Sequence, residues 1–324
     1  MTRKSTIKEQ MNEWAGAGIP FLFIIDFEQV KPLIFRLDEI NPGYLLYDIN
    51  GISNSQGQAR RVRPAKLARY PETYADYLVK FNLVKDEIAL GNSFLLNLTC
   101  STPVDLNSTL LEIFHMSTAR YKIWLNDEFV CFSPESFVII NDGKIRSFPM
   151  KGTIDADIPD AERVILNDTK ETAEHYTIVD LIRNDLSMVS KRVRVERFRY
   201  FDTINTNEKK LLQVSSEICG DLEEEYAASL GDIIFSLLPA GSVSGAPKKK
   251  TTEIIASAEG MPRGYYTGIA GIFDGRNLDS GVMIRFIEKR EERYFYRSGG
   301  GITSFSDPLS EYNEMIDKIY VPVI

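Results

Sequence analysis

Two pairs of glutamates carry the first chemical signal. In Lys170-Glu171-Thr172-Ala173-Glu174-His175 the two carboxylates stand three residues apart, so on a helix both project from one face. Glu311 and Glu314 repeat the spacing near the C-terminus. Lys318 extends that stripe by four residues, and Met315, Ile316 and Ile319 lie on the opposite side. Two helices that each offer hard oxygen donors suit a divalent cation, because Mg²⁺ takes one or two carboxylates and keeps positions for water and substrate oxygens. Glutamates at this spacing also decorate solvated helix surfaces, so the spacing alone does not decide.

Glycine-rich segments supply the second signal. Gly241-Ser242-Val243-Ser244-Gly245-Ala246-Pro247-Lys248 has the make-up of an anion-binding loop, in which backbone N–H groups, hydroxyls and a lysine converge on a carboxylate or phosphate. It is not a Walker A loop: the second glycine comes too early and Pro247 separates it from the lysine. Gly299-Gly300-Gly301 follows a strand-like segment and precedes the Glu311 helix, which would let a ligand approach bare backbone.

The elements that must position these residues are legible as patterns. Residues 20–60 alternate apolar runs with Asn41-Pro42-Gly43 and Asn50-Gly51, the signals of an antiparallel sheet. Tyr74, Tyr77, Leu78, Phe81, Val84 and Ile88 recur at helical steps up to Gly91. The strand Phe94 to Thr99 follows, then three strands over 121–150 turned at Asn126-Asp127 and Asn141-Asp142-Gly143. A long helical pattern runs from Ala161 to Val189. Arg192 to Arg199 alternates basic and apolar residues and reads as a half-exposed strand. Further strands fall at Gly268 to Asp274, Val282 to Glu288 and Tyr294 to Ser298, and a last helix opens at Asp307-Pro308. No repeat or linker marks a boundary, so the pattern predicts one α+β unit.

Composition narrows the function classes. The chain has 324 residues, and 38 basic against 46 acidic residues give a net charge of −8, which disfavours nucleic acid and anionic membranes as partners. Three scattered cysteines and two histidines give no zinc site and no histidine triad. The first 19 residues lack the apolar core of a signal peptide, and no apolar run approaches the length of a membrane span, so a cytoplasmic protein is expected.

Several segments together resemble the chorismate-utilising enzymes. They are Ser133-Pro134-Glu135-Ser136-Phe137, Met150-Lys151-Gly152-Thr153, Glu171 to His175 running into Val179-Asp180-Leu181-Ile182-Arg183-Asn184-Asp185, Gly241 to Lys248, Ile284-Arg285, Gly299 to Ile302, and Glu311 to Lys318. The resemblance runs from about residue 72 to the C-terminus. It implies large, mostly antiparallel β-sheets packed as a sandwich with helices outside. It also implies a single chorismate-binding domain over 1–324, with a shortened strand-rich part at 1–70 and the catalytic core at 72–324.

Within this family, aminodeoxychorismate synthases characteristically carry lysine where anthranilate synthases carry alanine, and Pro149-Met150-Lys151-Gly152-Thr153 has the lysine. The resemblance therefore implies a transferase, component I of an aminodeoxychorismate synthase, acting for 4-aminobenzoate and folate formation. A separate glutamine amidotransferase subunit would supply its ammonia. Lys151 would be the covalent nucleophile and Glu135 the general acid. Glu174 and Glu314 would bind Mg²⁺, with Glu171 and Glu311 holding metal-bound water or orienting those ligands. Ser242 and the Gly301 N–H would bond the ring carboxylate of chorismate. Arg285, Tyr266 and the Gly299 N–H would grip the pyruvyl carboxylate, and Lys318 would add positive charge.

Two positions depart from the family pattern. Gln213 stands in place of the usual histidine, and Leu95 stands where water-using members place a lysine, which argues against an isochorismate-forming reaction. The tryptophan-pocket segment is reduced to Ser117-Thr118-Ala119-Arg120-Tyr121, so no tryptophan feedback is expected. Anthranilate synthase component I and a catalytically silent binder of a chorismate-like metabolite or a partner protein are the alternatives.

Overall fold

The computed structural model describes residues 3–55, 66–205 and 210–322. Among them, two antiparallel sheets of nine strands each form the framework. The first sheet holds Phe21–Ile25, Leu33–Arg36, Ser136–Asn141, Lys144–Ser147, Met150–Asp155, Lys191–Asn205, Lys210–Asp221, Ile269–Phe273 and Leu278–Val282. The second holds Leu45–Ile49, Ile52–Ser53, Leu67–Arg69, Leu95–Leu106, Tyr121–Leu125, Phe129–Ser133, Gly245–Ala246, Phe286–Arg290 and Arg293–Thr303.

Strand alternation assigns the layers. Phe21, Phe23 and Ile25 point to one face of the first sheet, whereas Leu22 and Ile24 point to the other. Leu22 and Ile24 meet Tyr47, Ile123, Phe129 and Phe286 of the second sheet in a core between the sheets. The outer face of the first sheet is covered by the Thr169–Ser187 helix through Ile178, Val179, Ile182 and Leu186. The outer face of the second is covered by Tyr74–Ala89, Lys248–Glu259 and Pro308–Asp317 through Tyr77, Phe81, Ile254, Ile255 and Met315. Each such buried side chain contributes about 1.5–3 kcal/mol of hydrophobic transfer energy. The expected sandwich with outer helices is the observed architecture.

Several expectations change in detail. The 20–60 strands do not form one sheet: Phe21–Ile25 and Leu33–Arg36 join the first sheet, Leu45–Ile49 and Ile52–Ser53 the second, and 56–60 lies outside the described residues. Residues 121–150 make four strands before Met150 rather than three, because Pro134 breaks one run into two strands in different sheets. The 161–189 pattern is two helices, Ala161–Asn167 and Thr169–Ser187, separated at Asp168, whose side chain caps the second by accepting from the Glu171 N–H at 2.9 Å. The Phe94 strand runs on to Leu106, and Lys191–Asn205 is the strand expected at the basic stretch.

Tyr226–Ser244 is an exception to the expectation that no apolar run approaches the length of a membrane span. By length and composition this segment is apolar enough to span a bilayer. It is instead broken into Tyr226–Ser229, Leu230–Ser236 and Gly241–Ser244 around Pro239, is more than half buried, and fills the core under the first sheet with Ile233, Ile234 and Phe235.

Candidate active site

The chain crosses twice from one sheet to the other at the same corner. Ser133-Pro134-Glu135 links Phe129–Ser133 of the second sheet to Ser136–Asn141 of the first, and Met283-Ile284-Arg285 links Leu278–Val282 back to Phe286–Arg290. The Val282 N–H bonds the Glu135 carbonyl at 3.0 Å and the Phe132 N–H bonds the Arg285 carbonyl at 3.0 Å, so the two crossings are tied together. Arg285 takes a left-handed backbone angle, φ 53°, which a strand would not allow. That angle ends the expected Val282–Glu288 strand and turns the guanidinium toward the space between the sheets.

That space is a cavity of about 460 Å³, and every residue the family resemblance assigned a role lines it: Lys151, Glu135, Glu171, Glu174, Ser242, Tyr266, Arg285, Gly299, Gly301, Glu311, Glu314 and Lys318. Lys151 arrives from the Met150–Asp155 strand, whose register shifts between Met150 and Thr153 while Gly152 takes φ 83°. Such a bulge re-aims a side chain that regular pleating would send elsewhere. The Lys151 amine stands 3.6 Å from Glu174 Oε2.

The triple glycine lies inside the Arg293–Thr303 strand, not after one, and its lack of side chains leaves room for the C-terminal glutamates on one side and Lys151 on the other. A Cβ on Gly300 would sit 3.2 Å from Glu311 Oε2 and 3.7 Å from Glu314 Oε1, whereas one on Gly301 would sit 3.4 Å from the Lys151 amine and 3.1 Å from Leu95. Adjacent strand residues face opposite sides, so bare glycine here opens the sheet between the helix outside it and the lysine inside it. Gly299 could carry no side chain at all, since its Cβ would fall 2.2 Å from the Leu98 carbonyl. Lys318 bonds Glu314 at 2.7 Å and the Gly299 carbonyl at 2.8 Å.

Glu135 is the titratable group whose surroundings say most. Burial pushes its carboxyl above the usual range, opposed by the Ser242 hydroxyl and by the Lys151 and Lys318 charges. Ser242 Oγ donates directly to Glu135 Oε1. A carboxyl pushed up in this way holds its proton more readily than an exposed one, which suits a proton donor. Tyr266 is buried and its hydroxyl is pushed up to about 12, so it stays protonated as a hydrogen-bond donor. Arg285 donates to the Lys318 carbonyl at 2.9 Å and stacks over Tyr320 at 4.7 Å.

The glycine loop corrects one expectation. Ser242 does line the cavity, but Lys248 turns away and pairs with Asp185 at 2.8 Å, also donating to the Leu237 carbonyl at 2.7 Å. Gly241 packs so closely on the Thr169–Ser187 helix that a Cβ would stand 2.9 Å from Leu181. The lysine therefore fastens this loop to that helix instead of meeting an anion. His175, next to Glu174, likewise bonds Ser216 at 2.7 Å, and burial pushes it down to about 4.

Sequence reasoning missed Arg297, Asn97 and Ser298. Arg297 lines the cavity, is 2% exposed, and pairs with Glu288 at 3.1 Å. Its signal was present in the period of two, which puts Arg297 on the same strand face as Gly299 and Gly301. Asn97 sits opposite Gly301 in the Leu95–Leu106 strand, a lone amide in an apolar run. Asn97 Oδ1 and Ser298 Oγ are buried without a protein partner, as polar groups awaiting a ligand would be. Gln213 also lines the cavity, with its amide 3.5 Å from Thr153 Oγ1.

The donor set fits a hard divalent cation. Besides Glu135, four carboxylates reach the cavity, two of them, Glu174 and Glu311, nearly buried at 8% and 3% exposure, and burying carboxylates is costly without positive charge. Lys151 and Lys318 offset part of it. Among the described residues no three His, Cys, Asp or Glu side chains converge, so the carboxylates stand as two pairs rather than a closed cage. That leaves positions for water and substrate oxygens, which Mg²⁺ prefers.

The sequence profile described as chorismate binding enzyme matches residues 41–323. The PabA-like protein of Haemophilus influenzae is 50% identical over 97% of this chain and 96% of its own length. Anthranilate synthase component 1 1 of Haloarcula marismortui is 35% identical over 76% of this chain, and aminodeoxychorismate synthase component 1 of Bacillus subtilis is 30% identical over 81%. The chain covers 52% and 58% of those two, about half their length. In fold it is similar to the 2,3-dihydroxybenzoate-specific isochorismate synthase DhbC of Bacillus anthracis, with TM-score 0.71 at 19% identity over 98% of this chain and 86% of that one.

Proposed function

The chain belongs to the chorismate binding enzyme family, and from that premise we propose that it is component I of an aminodeoxychorismate synthase, converting chorismate and ammonia to 4-amino-4-deoxychorismate and water. The observation that carries the reading is Lys151: a strand bulge turns its amine into the cavity, beside Gly301 and 3.6 Å from Glu174.

In this reading the ring carboxylate accepts from the Gly301 N–H and from the Ser242 hydroxyl, which leaves Glu135 to meet it, and the pyruvyl carboxylate from Arg285, Tyr266 and the Gly299 N–H. Lys151, after giving its ammonium proton to solvent, attacks C2 as the free amine, and the C4–O bond breaks as Glu135 gives its proton to the departing hydroxyl, releasing water. The adduct nitrogen passes its extra proton to Glu135. Ammonia then attacks C4, the C2–N bond breaks as Glu135 returns that proton so that Lys151 leaves as the amine, and the new C4 ammonium gives one proton back to Glu135. Mg²⁺, held by Glu174 and Glu314 with Glu171 and Glu311 orienting them, would polarise the ring carboxylate. Leu95, buried beside Gly301, offers no base to activate water in competition with the amine.

The ammonia would come from a separate glutamine amidotransferase subunit, and the product would feed 4-aminobenzoate and folate formation in the cytoplasm. Tryptophan would not regulate the reaction. The 35% identity to an anthranilate synthase favours a second reading, in which ammonia attacks C2, the position Lys151 takes here. Incubation with chorismate, MgCl₂ and an ammonium salt at alkaline pH separates the two by product. The expected product is 4-amino-4-deoxychorismate; anthranilate, or no Mg²⁺-dependent product, would refute the proposal.

A further inference from the structure

A guanidinium with no place in the steps above sits behind the cavity wall. Arg263 is 1% exposed, and all five of its N–H donors are used. Nε donates to Glu259 Oε2 at 3.0 Å and Nη2 to Glu259 Oε1 at 2.6 Å, a fork-to-fork pair between the last residue of the Lys248–Glu259 helix and the loop that follows it. The other three donors leave the pair. Nη1 reaches the Val243 carbonyl at 2.7 Å and Thr267 Oγ1 at 3.3 Å, and Nη2 reaches the Asn97 carbonyl at 2.6 Å. Phe27 covers the guanidinium face at 4.6 Å.

What these acceptors share is their neighbours. Val243 follows Ser242. Thr267 follows Tyr266 and is held at φ 59°, a left-handed angle costly for a β-branched residue, with Oγ1 donating to the Tyr266 carbonyl at 2.6 Å. Asn97 pairs with Gly301 in the ladder. Glu259 completes the set from the other side of the ion pair, since its Oε1 accepts from the Thr99 N–H and hydroxyl, both at 2.9 Å, and Thr99 pairs with Gly299. Three separate chain segments that supply the cavity's carboxylate-binding groups thus meet at one buried charge, each a single residue or a single ladder pair away from it.

We propose that Arg263, with Glu259, is a positioning residue that sets the spacing between the Ser242 loop, Tyr266 and the Gly299–Gly301 strand, and so fixes the distance between the two carboxylate sites of the substrate. The inference rests on the chorismate reading of the cavity. A simple ion pair would fasten two elements; this one fastens the Ser242 loop, the Tyr266 segment and the strand beside Gly299–Gly301, leaving only Arg285 to other anchors, and touches none of the substrate. Arginine is required for geometry as well as charge, because a lysine ammonium has three donors and no planar fork.

The test compares three variants by chorismate Kd from calorimetry and by KM for chorismate and ammonia. Arg263→Lys keeps the charge and loses the fork. Arg263→Met combined with Glu259→Met removes the pair without stranding either charge in the interior, a replacement that buried ion pairs commonly tolerate. Ile255→Ala destabilises the same helix through the apolar core alone. The expected result is that chorismate Kd and KM rise at least tenfold in both Arg263 variants and stay within twofold in Ile255→Ala, while KM for ammonia is unchanged in all three. A folded double-methionine variant that binds chorismate within twofold of wild type, or a loss of affinity in Ile255→Ala equal to that of Arg263→Lys, would overturn the proposal. Product identity is read separately. A wild-type protein that binds chorismate but forms no 4-amino-4-deoxychorismate refutes the amination reading, and the Kd comparison still decides the role of Arg263.

Discussion

The two glutamate helices begin alike and end differently. Each opens on an aspartate cap, Asp168 or Asp307, and each places its first cavity glutamate within the first turn. On the Thr169–Ser187 helix the second glutamate, Glu174, is the buried one, and its amine partner Lys151 comes from a distant strand at 3.6 Å. On the Pro308–Asp317 helix the first glutamate, Glu311, is buried, while Glu314 is half exposed and bonded at 2.7 Å to Lys318, one turn on. Lys318 is also anchored to the Gly299 carbonyl. One amine is thus held at a distance an incoming reactant could take over; the other is locked by its own helix. The difference predicts that the two lysines are not equivalent: Lys151 reacts, and Lys318 supplies charge.

The largest effect that could break this contrast is the loss of Lys151. Lys151→Ala should lower 4-amino-4-deoxychorismate formation on the order of 10³-fold or more, the scale of removing a nucleophile. Lys318→Ala should cost only about tenfold, mostly through chorismate KM. Steady-state kinetics on the pair measures it, and equal losses would erase the distinction. Next comes Glu135→Gln, expected to reduce turnover by roughly 10²–10⁴. The sign of its pH dependence follows from the raised carboxyl: the protonated acid is the active form, so wild-type kcat should fall as pH rises through that raised value. The Gln variant should lack this limb of the profile. A profile with the same limb would assign the acid to another group.

How much of this was open to sequence reasoning depends on distance along the chain. The glutamate pairs, the Asp307-Pro308 cap and the Tyr74–Ala89 helix are local patterns of three to four residues, and they appear as expected. Lys151, Glu135 and Arg285 were found through the family resemblance, since nothing in a lone lysine beside a glycine or a glutamate after a proline marks chemistry. What places them is long-range: a bulge set by a partner strand 60 residues on, and two crossings between sheets that only the complete topology aligns. The same reason explains the misreading of Lys248. In the chain it follows a glycine loop, but Asp185, which claims it, lies on another helix. Arg263 was invisible because its role lies in five acceptors spread from Asn97 to Thr267.

A smaller effect sharpens the comparison at the triple glycine, where the C-terminal glutamates lie on one side of the strand and Lys151 on the other. Gly300→Ala would place a methyl 3.2 Å from Glu311 Oε2 and 3.8 Å from the Lys318 amine while leaving the Lys151 side of the strand untouched. The carboxylates of the C-terminal helix must then yield by a few tenths of an ångström. The apparent affinity for Mg²⁺, read from the activation curve at saturating chorismate, should weaken about tenfold, the size expected when the surroundings of metal ligands are disturbed. Loss of Lys151 reactivity with retained Mg²⁺ response would instead mean that the two faces of this strand are not independent.

The least effect on catalysis, and the largest on folding, is expected at Lys248. The ion pair with Asp185 is mostly buried, and burial lowers the lysine and raises the aspartate from their ordinary values while their mutual attraction opposes both shifts. Lys248→Ala strands Asp185 beside Leu181 and Gly241 without its counter-charge, a loss of about 3 kcal/mol of stability. Chemical denaturation should show a lower midpoint. Chorismate KM should nevertheless change less than twofold, because the amine faces the Thr169–Ser187 helix and not the cavity. Lys248→Met, which replaces the stem but not the charge, should lose slightly less stability and again leave KM intact. An increase in KM matching that of a clamp residue such as Arg285→Ala would return Lys248 to the anion site its sequence context suggested. The contrast between a lysine that reacts, one that supplies charge and one that only fastens a loop would then fail.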